Sequence, residues 1–167
     1  MTTRLILIRH AKSSWDDAVS GDHARPLNQR GRHDAPVIGR WLAAKGYVPQ
    51  VLLCSDAKRT RQTAALIMPA LPEQPELILM PHLYHAAPQT IADAVAQHSE
   101  TVIGVVGHNP GIGMLANRLV DSPPDHPRFA DFPTCAVAVI DLTQGASLPQ
   151  SGRCVDFIVP RDLTEAP

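Results

Sequence analysis

Four short apolar runs, near residues 3–8, 50–54, 77–80 and 101–106, alternate with segments of helical period, and that alternation leaves few folds open. Helices are expected at 28–45, 57–68, 88–97 and 111–120. Asn28 is a suitable N-cap for the first and Gly46 suits the position after its end; Val37, Ile38, Trp41 and Leu42 would form its core face. Pro36 inside that span predicts a kink or a later start. The second helix should stop before Pro69, and Ile91, Ala92 and Val95 mark the third. Residues 121–133 hold four prolines and read as loop. Segments 136–142 and 154–159 read as a closing strand pair joined by a turn containing Gly and Ser, with a frayed tail after Pro160. The expectation is one domain over 1–167: an α/β three-layer sandwich with a mainly parallel sheet, helices on both faces and an antiparallel edge.

At 167 residues the chain suits one domain with a sizeable core. A net charge of −1 gives no global electrostatic case for nucleic acid or membrane partners, and 4% aromatic residues argue against a stacking platform for single strands. Cys54, Cys135 and Cys154 are odd in number, widely spaced and without a CxxC, so buried free thiols are expected. The N-terminus has one arginine and four consecutive strongly apolar residues before Arg9, which is neither a signal peptide nor a membrane span. A cytoplasmic protein is the resulting expectation.

The chemistry collects where the runs end, which in an open α/β sheet is where ligands bind. The first run delivers Arg9-His10 to a loop of small and polar residues, Ala11 to Ser14. Guanidinium offers a planar fork of donors to phosphate oxygens, and imidazole can carry a phosphoryl group. The second run leads into Ser55-Asp56-Ala57-Lys58-Arg59, the fourth into Gly107-His108-Asn109-Pro110-Gly111. Arg9 and Arg59 could clamp the non-bridging oxygens, a neutral His10 would attack, and His108 could donate as charge builds. Amides after Asn109 could add donors. No GxxxxGK[ST] and no GxSxG occurs, so neither a nucleotide P-loop nor a serine nucleophile is indicated. His82 and His85 are three apart, but no further ligand completes a metal set. His23, His33, His82, His98 and His126 are read as surface residues and Arg61 as solvent-facing.

In order along the chain, Arg9-His10, Arg25-Pro26-Leu27-Asn28-x-x-Gly31, Ser55-x-x-x-Arg59-x-x-Gln62-Thr63 and Gly107-His108 resemble the marks of the histidine phosphatase superfamily, with its phosphoglycerate mutase-like fold. The length and the lack of a large insertion are most similar to its SixA-like phosphohistidine phosphatase branch. The resemblance implies a phosphate pocket of His10, Arg9, Arg59 and His108, with transient phosphorylation of His10. Arg25, Asn109, Ser55 and Asp16 are read as substrate-binding residues, and no cofactor or metal is expected, since Arg9 and Arg59 can supply the charge. Ala11 departs from a common glycine and Asp56 from a common proline.

A further departure bears on substrate. Larger members carry a Glu or Asp proton donor after the third strand; here residues 81–87 read Pro-His-Leu-Tyr-His-Ala-Ala. An alcohol leaving group needs that proton, whereas a phosphohistidine substrate can leave as an imidazole protonated beforehand. The expectation is a metal-independent hydrolase of protein phosphohistidine, with His85, Tyr84 or Asp16 as stand-in donors. A phosphatase of a small phosphorylated metabolite and a non-catalytic phosphate-binding adaptor are the alternatives, the latter disfavoured because binding alone needs no nucleophile.

Overall fold

The computed structural model describes residues 2–16, 21–143 and 152–164. Its sheet has six strands in the order β3-β2-β4-β1-β5-β6. These are β1 (Thr2–Arg9), β2 (Val51–Ser55), β3 (Glu76–Met80), β4 (Val102–Gly107), β5 (Val137–Thr143) and β6 (Gly152–Ile158). The first four are mutually parallel, while β5 runs antiparallel to β1 and β6 to β5. The turn expected between β5 and β6 lies outside the described residues.

Side chains alternate across each strand, so the apolar runs supply two cores. Leu5, Leu7, Leu53, Ile103 and Val105 face one layer, with α3 (Pro88–Ala96) and α4 (Gly111–Leu119). Ile6, Ile8, Leu52, Cys54 and Val106 face the other, with α1 (Gln29–Lys45) and α2 (Lys58–Ile67). The three-layer α/β expectation is met.

Helix α1 starts as its cap predicts: Asn28 Oδ1 accepts from Gly31 N at 2.9 Å. It ends at Gly46, in the left-handed region at φ 73°. Pro36 does not delay the start; the helix begins at Gln29 and continues through it, since packing along Ala35, Ile38 and Leu42 outweighs one lost backbone bond. Val37 is half-buried, beside the core stripe rather than on it. The tail is not frayed throughout: Pro160–Thr164 form α5, where Asp162 accepts from Val159 N at 3.0 Å and pairs with His126 at 2.8 Å. Segment 121–133 is loop, as expected, with Phe129 and Phe132 buried in it. Cys54 and Cys135 are buried free thiols; Cys154 is free and half-buried.

With β4 beside β1 and β2 beyond it, the chain reverses its direction of winding at the β1/β4 pair. The carboxyl ends of β1, β4 and β2 therefore lie side by side, a ready crevice. No helix among the described residues is long and apolar enough to cross a membrane.

Candidate active site

The ends of three strands deliver Arg9 and His10, Ser55, and His108 to this crevice. The His10 backbone is held from both sides: its N–H donates to Gly107 O at 3.0 Å and its carbonyl accepts from Cys135 N at 3.0 Å. Helix α2 adds Arg59 from its first turn. The Gln62-Thr63 pair proves to be a brace. Thr63 Oγ1 accepts from Ala11 N at 3.0 Å and Gln62 Oε1 from Leu27 N at 2.8 Å, tying α2 to both halves of the β1–α1 loop. Gly31 serves the same packing, because a Cβ there would collide with the Lys12 carbonyl.

The two imidazoles are fixed in complementary tautomers. His10 Nδ1 lies 2.7 Å from Ala11 O, a group that only accepts. Nδ1 therefore carries the proton, and Nε2 keeps the lone pair of a nucleophile. His108 Nε2 lies 2.8 Å from Ser55 Oγ, which itself accepts from Ala57 N at 3.3 Å. The hydroxyl proton is then free to go to His108 Nε2, which places the ring proton of neutral His108 on Nδ1, the atom facing no protein partner. The rings are 5.3 Å apart. Burial, reinforced by the charges of Arg59 and Arg9 and opposed by the Ala11 bond, pushes His10 down to about 3. Burial, followed by His10, Arg59 and His85, lowers His108 to about 2. Both rings are neutral at pH 7 in the free protein.

Three buried polar atoms lack any partner here: Arg9 Nε, Arg59 Nε and His108 Nδ1. Buried donors are almost always paired, so a cluster of orphans is the imprint of an absent acceptor. Arg59 is 1% exposed and His108 2%. Burial pulls the Arg9 guanidinium below its ordinary value, with Asp131 opposing and Arg59 adding. Three unpartnered donors and one nucleophilic nitrogen are a set that suits a tetrahedral oxyanion.

The wall behind Arg59 is built on a residue the sequence did not single out. Asp22 accepts from Arg59 Nη2 at 3.0 Å, from Arg25 Nε at 3.0 Å and from the Tyr84 hydroxyl, and lies 2.9 Å from His85 Nε2. Partial burial would raise its carboxyl, but these bonds from Tyr84, His85, Arg59 and Arg25 outweigh it and hold the group well below the carboxylate range. The polar loop gave one hint, the Asp22-x-x-Arg25 spacing; the bond to Arg59, far along the chain, had no local signal.

The other expectations divide. Arg25 belongs to the wall, bonded to Ser13 Oγ at 2.7 Å and to Ser14 O at 3.1 Å as well as to Asp22. Tyr84 and His85 reach the pocket, His85 with its ring 4.9 Å from that of His108. Direct substrate contact is corrected for three residues. Ser55 is fully buried behind His108. The Asn109 amide binds Asp131 O and Phe132 O at 3.0 and 2.9 Å while its oxygen takes Gly113 N at 3.2 Å, so it pins two loops. Asp16 is exposed and lines a groove beside α1 rather than the wall that Asp22 builds. Arg61 is exposed, as are His23, His33 and His82, whereas His98 and His126 are half-buried and paired with Glu100 and Asp162. Among the described residues no three His, Cys, Asp or Glu side chains gather as a metal site.

Known proteins carry the same plan. A model of the histidine phosphatase superfamily (branch 1) matches residues 5–85. An uncharacterised protein of Mycobacterium tuberculosis is 34% identical over 163 residues, 92% of this chain and 100% of the relative. The chain belongs to the histidine phosphatase superfamily. Members of this superfamily are phosphatases and mutases. An uncharacterised chloroplastic protein of Arabidopsis thaliana is 51% identical over 63 residues, where the match spans 38% of this chain and 29% of that protein. Among solved structures, a protein provisionally assigned as the phosphohistidine phosphatase SixA of Agrobacterium tumefaciens superposes with a TM-score of 0.76 at 28% identity, covering 95% of this chain and 99% of that one. Within the superfamily this chain is thus SixA-like in fold and in extent.

Proposed function

We propose that this chain is a metal-independent phosphatase that forms a phosphohistidine at His10 and takes protein phosphohistidine as substrate. His10 Nε2 attacks phosphorus as the bond to the leaving group breaks, and the leaving imidazole departs as a neutral ring, protonated on its other nitrogen. Arg9 Nε, Arg59 Nε and His108 Nδ1 hold the three equatorial oxygens, supplying the charge that a metal ion supplies elsewhere. Water then attacks phospho-His10, releasing inorganic phosphate and restoring the lone pair on Nε2.

The observation that carries the phosphohistidine reading is the bonding of Asp22 to Tyr84, His85, Arg59 and Arg25. Asp22 is the carboxylate at the pocket wall, and its four partners keep it from donating a proton. Tyr84 is no better an acid: burial and its bond to Asp22 raise its phenol. His85, oriented by Asp22, is the remaining donor. A site with one imidazole donor and no carboxylic acid suits a leaving group that brings its own proton.

The test is kcat/KM across leaving groups, preceded by rapid quench. A labelled phosphoprotein, acid-labile and alkali-stable, should accumulate in the wild type and be absent in His10→Ala. Phosphohistidine and aryl phosphates should turn over faster than alkyl phosphates by about 10²–10⁴, the share a general acid supplies. His85→Ala should widen that gap, and chelator should leave the rate unchanged. A flat series limited by bond cleavage would instead assign the site to a small phosphorylated metabolite; binding without turnover would make it an adaptor.

A further inference from the structure

One oxygen of Asp22 gathers three side chains. Its Oδ2 accepts from Arg59 Nη2 at 3.0 Å and from the Tyr84 hydroxyl, and lies 2.9 Å from His85 Nε2. A carboxylate held ionised by its neighbours only accepts, so the Nε2 of His85 carries a proton. The other neighbour of that nitrogen, Arg59 Nη2, is farther away at 3.4 Å and already donates to Asp22. Among the described residues nothing bonds His85 Nδ1, which holds the lone pair of the neutral ring.

The ring is also placed. His85 sits in the left-handed region at φ 49°, which few non-glycine residues adopt, and the Tyr84 ring lies 4.3 Å from its own. On its other side is His108, ring to ring at 4.9 Å, and His108 in turn is 5.3 Å from His10. The His85 side chain is 48% exposed, so water reaches it. In an in-line displacement at His10 Nε2, the leaving group of the first step and the water of the second take the same side of phosphorus. A group that serves the one therefore stands beside the other.

We propose that Asp22 and His85 form a dyad for the second half of the reaction: His85 Nδ1 is the general base for the water that attacks phospho-His10, and Asp22 is the positioning residue that fixes its tautomer. The bond from water oxygen to phosphorus forms as one O–H bond breaks, and that proton goes to His85 Nδ1. The bond from phosphorus to His10 Nε2 breaks and leaves its electron pair on Nε2. The His85 imidazolium, paired with Asp22, then returns its proton to solvent. A histidine backed by an anion on its far nitrogen activates nucleophiles in the same way in hydrolases of other folds. The proposal rests on the phospho-His10 intermediate above and not on which substrate supplies the phosphoryl group.

Pulse–chase of the phosphoenzyme tests it. Labelled p-nitrophenyl phosphate, whose leaving group needs no donor, loads His10, and decay of the label after a chase measures the second step alone. His85→Asn tolerates the left-handed region and can still donate to Asp22, but takes up no proton. It should slow decay about 100-fold, the share of a general base, so that label accumulates, while kcat/KM, which reports loading, falls much less. Asp22→Asn should slow decay about 10-fold and lose most of that effect in the His85→Asn background, whereas a residue that only supports the wall would cost the same in both. Unchanged decay in His85→Asn overturns the dyad, as does an Asp22→Asn loss undiminished beside His85→Asn. Absence of label from both proteins also overturns it. If His10→Ala then still turns over, the phosphohistidine intermediate falls as well; if His10→Ala is inactive, the intermediate stands and only the dyad is lost.

Discussion

Two imidazoles 5.3 Å apart between two guanidiniums would repel strongly if both were charged, and burial keeps both neutral. Neutrality then makes the tautomer decisive, because one ring must present a lone pair and the other a proton. The Ala11 carbonyl sets the first and the Ser55 hydroxyl the second. Ser55→Ala removes the donor that keeps the His108 proton on Nδ1, while Ala57 N loses its acceptor. The expected outcome is a fall in kcat of about 10–100-fold with little change in KM, the mark of an interaction that matters in the transition state. Ser55→Thr, which keeps the hydroxyl, should restore most of it. Loss confined to KM would place Ser55 on the substrate instead. The sequence offered Ser55 as a binding residue because proximity to Arg59 was visible and direction was not. Whether a hydroxyl faces the void or the ring behind it depends on how β2 and β4 pair, which no local pattern encodes.

At the scale of elements, much of the fold was legible because the runs of β1, β2 and β4 were apolar enough to be buried on both faces and α1 carried its Asn28 cap and Gly46 stop. What escaped reading was decided by tertiary contact. Helix α1 runs through Pro36, and α5 forms because Asp162 can reach His126 and a backbone amide. The same holds for closeness between elements. Helix α4 approaches segment 81–87 so tightly that a Cβ on Gly111 would overlap the Ala86 carbonyl, backbone against backbone. That contact sits one residue from His85, which is itself in the left-handed region at φ 49°. Gly111→Ala must push the two elements apart. It should lower stability by about 1–3 kcal/mol, as overpacking does, and slow poor leaving groups more than good ones because His85 moves. Urea unfolding alongside the leaving-group series measures both. An unchanged midpoint would show that the approach is looser than the geometry implies.

For the whole molecule, the buried rings make stability depend on acidity. An unfolded histidine takes a proton near pH 6.5; folded His10 and His108 resist until about 3 and 2. Between those limits the unfolded chain binds more protons, so stability present above pH 6.5 is lost as pH falls, by up to about 1.4 kcal/mol per pH unit for each ring. Asp22, held low, works in the same sense but only below its unfolded value of 3.8: the stability it adds is complete above that pH and disappears as pH drops toward its lowered folded value. The urea midpoint should therefore fall steadily from pH 7 to pH 4. His10→Asn or His108→Asn should flatten the slope. Vanadate or phosphate should protect most at the acid end, because a bound anion favours a protonated ring that the free protein keeps neutral. A midpoint constant across that window would contradict the burial of both imidazoles.

Asp22 also bears on how the enzyme lets go. Its carboxylate sits on Arg59, so a phosphate bound by Arg59 would share its counter-ion with a fixed like charge. A pocket of bare arginines would retain inorganic phosphate and stall. In the proposed reaction the departing phosphate would leave behind a cation whose field Asp22 already partly quenches. Asp22→Asn should make inorganic phosphate a several-fold stronger inhibitor, even as the rate of the chemical step declines. In that reaction the carboxylate that shapes the wall would speed the clearance of product, trading grip for traffic.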